Sequence, residues 1–387
     1  MSPALENGPV VPVRVIETAA RIAPFGDPVG DIPIAGMSFS ELQRKQAQDA
    51  GVDDRLTVAA HAIATAKLLR AFVANAPRGT PSALAVRADS PLALLTPVSS
   101  IRREDGLLVY DVFLDAPYSD VASARAAAKP VVVEHRSLTY RREFPRVGPG
   151  PHHLDLPADG VLCAHLEHWV HLLWVAPLLV PALGPKIDPT AQVHPSAHVE
   201  GSIIGPGAIV GAGSRIHGSY IGANARLADF SKVTRCMLGD GVHTLADATF
   251  SHVVSLGEGT LTNLLLRDVV VGRKVFLTSG VIFWGEALGE SITVDRDGVE
   301  VDTGRPFVGG CVGHGSVLGA RTIVGPGRAL PNRTLVVLRR EEGVMRVEPT
   351  APGTPLCWDN AALVPFDTMR PGQIPAELDR ALHEDVE

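Results

Sequence analysis

Imidazole is the side chain best suited to take a proton from an incoming nucleophile near pH 7, and the chain carries 14 histidines. Two of them, His243 and His252, fall between about Val242 and Gly310, where an otherwise regular repeat breaks down. A segment that leaves a repetitive scaffold at one point tends to form its working face. The same stretch holds Asn263, Arg296 and Arg305. Three further histidines, His165, His168 and His171, are three residues apart. At that spacing they drift across a helix face, which suits packing between domains better than a metal site. The four cysteines, Cys163, Cys236, Cys311 and Cys357, contain no CxxC pair, which fits a reducing cytoplasm and gives no zinc signature.

The element that must position the first group is visible as a rhythm. From Ile187 the aliphatic residues run Val193, Val199, Ile204, Val210, Ile216, Ile221, Leu227, Val233 and Leu238, at spacings of 6, 6 and 5 that repeat three times. Each 17-residue turn closes on the same kind of dipeptide, Ile204-Gly205, Ile221-Gly222 and Leu238-Gly239. A second tract, Val312, Leu318, Val324, Leu330 and Val336, keeps a spacing of six. A helix would repeat near 3.6 residues and a half-buried strand would alternate. Single aliphatics separated by Gly, Pro, Asn and Asp instead give a short strand and a corner per repeat, with Gly207, Gly213 and Asn224 as turn residues. The expectation is a β-helix from about Ile187 to Val336. Each coil buries its face only against the next. Between the tracts, Ser291–Val301 alternates about Asp297-Gly298 and predicts a hairpin.

Composition narrows the partners. At 387 residues, 45% hydrophobic and 20% charged, the chain is an ordinary globular sequence with room for two or three cores. A formal charge of −7 argues against nucleic acid. The longest apolar stretch, Trp169 to Leu183, carries His171 and two prolines and is too short to span a bilayer. No signal peptide is apparent, and cytoplasmic placement is expected.

The repeat resembles the left-handed β-helix of hexapeptide-repeat acyltransferases, a family that usually trimerises with its acyl-CoA and acceptor sites between neighbouring helices. The hairpin followed by Asp302-Thr303-Gly304-Arg305 is similar to the C-terminal half of bifunctional sugar-1-phosphate nucleotidylyltransferase/amino-sugar acetyltransferases. The resemblance implies acetyl-CoA or another acyl-CoA as donor and a histidine as general base. His243 would be that base, with His252 second. Arg305, Arg296 and Asn263 would hold phosphate and CoA. The family's lysines around the hairpin are missing, and Trp284 stands where another alignment would put its Asn.

The first 160 residues predict a mixed α/β domain, with strands at Ala83–Val86, Leu107–Leu114 and Val131–Val133 and helices at Ser40–Ala50 and Val58–Ala74. The run Arg21-Ile22-Ala23-Pro24-Phe25-Gly26, with Gly36 and Ala50-Gly51-Val52 beyond it, resembles the opening of sugar-1-phosphate nucleotidylyltransferases, a Rossmann-like fold. By that resemblance Arg21 is a remnant of the nucleotidyl site and Asp89 would hold Mg²⁺, with Asp111 and Asp115 as alternatives. The family's glycine-rich phosphate loop is replaced by Ile16-Glu17-Thr18-Ala19-Ala20, and a carboxylate there repels a triphosphate. Residues 161–183, with Leu166–Trp174 as a helix and Trp169 matching the family's linker Trp, join this domain to the β-helix at 184–337. An acid- and Pro-rich tail, 338–387, is expected to wrap the surface or to be partly disordered. The whole predicts a homotrimeric transferase acting on a sugar phosphate or nucleotide sugar, with an impaired nucleotidyl site. A non-catalytic binding or scaffold protein of the same architecture is the alternative.

Overall fold

The computed structural model describes residues 13–337 apart from 53, 96, 97, 117, 144–152, 263, 287–290 and 306, together with three short strands beyond residue 345. The N-terminal sheet is six-stranded, built from β1 (Arg14–Ile16), β2 (Leu56–Ala59), β4 (Ser82–Arg87), β5 (Leu107–Leu114) and β6 (Lys129–Val132), with the strand Arg102–Glu104 paired antiparallel to β5 off this path. Their spatial order is β1-β2-β5-β4-β6. β1 and β6 lie parallel to β2 and β4 respectively, while β5 runs antiparallel to both of its neighbours. β1, β2, β4 and β6 therefore point one way, and their carboxyl ends share one edge.

Helix α1 (Phe39–Ala50) begins in a capping box: Ser38 accepts from the Glu41 N–H and Glu41 returns a bond to the Ser38 N–H, an arrangement worth about 1 kcal/mol. It ends at Gly51, whose φ of 67° needs the left-handed region. The expected helix Val58–Ala74 is corrected. Residues up to Ala64 form β2 and a second short strand, β3 (Ala62–Ala64), and only α2 (Ala66–Asn75) is helical. Val58 to Ala64 is buried throughout, and a continuous apolar run gives strand and helix the same signature.

The link to the β-helix also differs from expectation. His165 closes strand β9 (Cys163–His165), which pairs with β3, His168 caps the next helix, and only His171 lies inside α4 (Trp169–Val175). The three imidazoles never share a helix face. All of α4 is buried, which suits the packing role.

The C-terminal part is a parallel β-helix. Two of its faces are eight-stranded sheets and the third begins as a five-stranded one. Residues 17 apart pair in register, as in Ile203↔Tyr220 and Ile209↔Arg226. The aliphatics Ile204, Val210, Ile216, Ile221, Leu227, Val233 and Leu238 form its fully buried core, each contributing about 1.5–3 kcal/mol. The apparent break at Val242 is corrected too. Coils continue without interruption through Ile282–Phe283, and only residues 284–310 leave the stack. Thr244 and Ser255 occupy inward positions in place of aliphatics, Leu265, Phe276 and Ile282 point outward, and Val254 meets Val270 at a spacing of 16. Those substitutions and the one-residue shortening hide the rhythm. The excursion carries the expected hairpin, β10 (Thr293–Arg296) and β11 (Val299–Asp302). Among the described residues no helix is long and apolar enough to cross a membrane.

Candidate active site

At the shared strand edge, the loop after β1 and the turn after β2 face the β10–β11 hairpin across a cleft of about 480 Å³. The hairpin thus reaches back from the β-helix to roof the α/β domain. Its Arg296 donates to Glu167 Oε2 at 2.8 Å and also bonds the Val98 carbonyl. Arg21 and Arg296, singled out from opposite halves of the sequence, line this one cleft. Arg21 bonds the Gly26 carbonyl at 2.6 Å. Beside them, the buried Thr18 Oγ1 has no hydrogen-bond partner among the described residues.

Beneath the arginines lies a charged network that spacing in the sequence could not reveal. His61 Nε2 is 2.9 Å from Asp111 Oδ2. Arg125 grips the same carboxylate from α3 (Val121–Ala127), Nε to Oδ1 at 2.7 Å and Nη2 to Oδ2 at 2.6 Å. Burial opposes ionisation of Asp111, yet His61 and Arg125 outweigh it and hold the carboxyl at about 2. Glu167 is treated alike: burial pushes it up, but hydrogen bonds from His165 and Ser100 hold it below the usual carboxylate range. Ser100 donates its hydroxyl to Oε1 at 2.6 Å. His165, fully buried and depressed by that burial, accepts from the Asp111 N–H at 3.0 Å and faces Glu167 at 3.2 Å. Asp111 sits in the middle of β5, not at a strand end. Asp115, just past that strand, accepts from the Gly79 N–H at 2.9 Å.

Ligand atoms of His61, Asp111 and His165 lie within 4.8 Å of one another, a spacing a metal ion could bridge. The charges argue otherwise. Arg125 neutralises Asp111 and Arg296 neutralises Glu167, so a divalent ion would add two uncompensated charges. Asp89 fits Mg²⁺ no better. It is exposed, its carboxylate lies 3.2 Å from the Arg87 Nε, and it shares an open cleft with His135 and Arg136. No metal step follows from either place.

The two repeat-region histidines are separated. His243 is exposed on its strand, beside Arg226 and Thr260 on the adjoining coils. His252 is buried under the hairpin of β7 (Thr139–Glu143) and β8 (His153–Pro157), its Nε2 3.0 Å from the Tyr140 hydroxyl. Burial, then Arg142, Arg235 and Arg267, drive it well below the usual histidine range. Arg142 forms a buried ion pair with Asp268 and lies over Trp174, as does Arg305 at 5.8 Å. The structure therefore sets His252 and Arg305 around one arginine–aromatic layer. Arg296 stands apart in the cleft, and Asn263 lies outside the described residues.

No protein-family model matches the chain, and no curated protein matches it. Among solved structures it is similar to two point mutants of a perosamine N-acetyltransferase from Caulobacter crescentus, each in complex with CoA and GDP-perosamine. The first is 19% identical with a TM-score of 0.15, the second 20% identical with a TM-score of 0.11. Each match covers 40% of this chain and 54% of the other, so the chain spans about half the length of those structures.

Proposed function

We propose that the protein handles a phosphorylated sugar, free or as its nucleotide ester, and works as a transferase of nucleotide-sugar metabolism. The observation that carries this reading is the cleft. It lies outside the carboxyl ends of co-directional strands, the usual ligand position in open α/β sheets. It gathers Arg21, Arg125 and Arg296 with the Thr18 and Ser100 hydroxyls, and guanidinium groups match phosphate oxygens in pairs. On this reading the N-terminal domain is nucleotidylyltransferase-like and the β-helix left-handed and acyltransferase-like. Acyl-CoA is the donor, and a homotrimer supplies the second wall of the acyl site. His243, exposed on its strand, is then the base for an acceptor amine. Exposed Leu264, Leu265, Ile282 and Trp284 give a trimer apolar surface to cover.

Calorimetric titration with glucose 1-phosphate and with UDP-glucose tests the cleft. The wild type should bind at least one of them. Arg296→Ala should weaken that binding at least tenfold, about 1.4 kcal/mol. Absence of binding by the wild type, or full binding by the variant, overturns the reading.

A second reading, a non-catalytic binder, is favoured by one observation: the two buried carboxylates at the cleft, Asp111 and Glu167, are each already claimed by an arginine. Release of pyrophosphate from a nucleoside triphosphate, or of CoA from acetyl-CoA with an amino-sugar acceptor, decides for the enzyme. Binding with neither release decides for the binder. If CoA is released, His243→Ala should lower the rate at least 100-fold.

A further inference from the structure

We propose that the cleft takes up a proton together with a phosphate, and that His61 is the group that carries it. The inference rests on the reading of the cleft as a phosphate site.

His61 follows β2 at its carboxyl end, and the ring lines the cleft. An ionised carboxylate only accepts hydrogen bonds, so the 2.9 Å contact with Asp111 fixes the proton on Nε2 and leaves the lone pair on Nδ1. Nδ1 has no hydrogen-bond partner among the described residues and is not among the enclosed, unpartnered atoms. It therefore opens on the cleft. The ring cannot readily turn away. Arg125 clamps both oxygens of Asp111, and the His165 ring stands edge-on to His61 at 4.7 Å.

The surrounding charges give this nitrogen its role. Arg125 is matched by Asp111 and Arg296 by Glu167. At the mouth, Arg21 is outnumbered by Asp295 and Asp297 of the hairpin. His165 is fully buried, and His168 is tied through Nε2 to the Asp295 carbonyl. With His61 neutral, the cleft has guanidinium donors but no surplus positive charge. One proton on Nδ1 cancels the one negative charge left over in the lining and adds a donor aimed at the ligand, and Asp111 stabilises the resulting imidazolium. Phosphate and proton then favour each other's binding, and the coupling is reciprocal.

The test uses the whole chain and two probes. UDP-glucose has no phosphate that titrates between pH 6 and 8, and glucose 1-phosphate carries a monoester. The dissociation constant for UDP-glucose should rise from pH 6 to pH 8, by at most about tenfold per pH unit, because one proton is taken up with the ligand. At pH 7.5 the binding heat should change with the ionisation enthalpy of the buffer, which registers proton uptake without any variant. His61→Gln, checked for an unchanged thermal midpoint, should lose both effects. Tighter binding of glucose 1-phosphate, with proton uptake, assigns the site to a monoester. Tighter binding of UDP-glucose, with uptake, assigns it to a nucleotide diphosphate. Affinity and heat independent of pH and buffer, or a folded His61→Gln that keeps the dependence, overturn the inference and leave the phosphate site standing. If neither probe binds at pH 6, the phosphate site and this inference fall together.

Discussion

The Arg142–Asp268 pair shows how much a single buried charge holds in place. Asp268 is fully buried, and the arginine arrives from β7, in the other half of the molecule. Removing one partner of such a pair strands the other charge in a low-dielectric site, at a cost of about 3–5 kcal/mol. Asp268→Ala should lower the unfolding free energy by about that amount in a denaturant titration, and a change under 1 kcal/mol would show the pair to be incidental. Residues of this kind are poorly legible in sequence. Asp111 could be singled out as a strand-associated carboxylate, but its partner His61 is 50 residues away and Glu167 lies 56 residues beyond it. Arg21 and Arg296 were legible only because each sits in a local motif. That they meet across one cleft follows from how the halves dock, and no spacing encodes that.

For single elements the sequence speaks more clearly, because each coil strand commits one inward residue and the aliphatic choice there is nearly forced. The hairpin was equally legible from Asp297-Gly298. Legibility ended where inward positions turned polar. Thr244 is accommodated because its hydroxyl accepts from the Ala228 N–H at 3.2 Å. Ser255 is fully buried and its hydroxyl has no partner among the described residues. Such a group costs about 1–3 kcal/mol of desolvation. Ser255→Ala should therefore stabilise the protein by about 1 kcal/mol, read as a raised denaturation midpoint at unchanged cooperativity. A lowered midpoint would mean the hydroxyl is satisfied. The run Val58–Ala64 marks the opposite failure. There hydrophobicity was plain, but with every side buried it carried no period from which strand and helix could be told apart.

Across the whole molecule, the depressed histidines act in one direction. Burial lowers His165, His168, His252 and His314 below the ordinary value of 6.5. A folded state that resists protonation binds fewer protons than the unfolded chain as pH falls through that value, so the stability these groups contribute is present above about 6.5 and lost below it. Denaturant midpoints should fall from pH 7.5 to pH 5.5, more steeply than in a His252→Phe/Tyr140→Phe variant. Equal slopes would place the acid sensitivity elsewhere. His314 lies on the seam between the halves, where Asp27 accepts from Arg273 at 2.7 Å and faces His314 Nε2 at 3.0 Å, so acid should loosen that seam as well.

The excursion at 284–310 has a different kind of consequence. The coils on either side of it pair, Val270 with Cys311 and Phe276 with Val317, as if the intervening residues were absent. The stack closes across that splice point. The roof of the cleft is therefore an exchangeable fitting on a fixed spindle: longer, shorter or differently charged hairpins could be grafted there, retuning what the molecule grasps while its frame stays as it is.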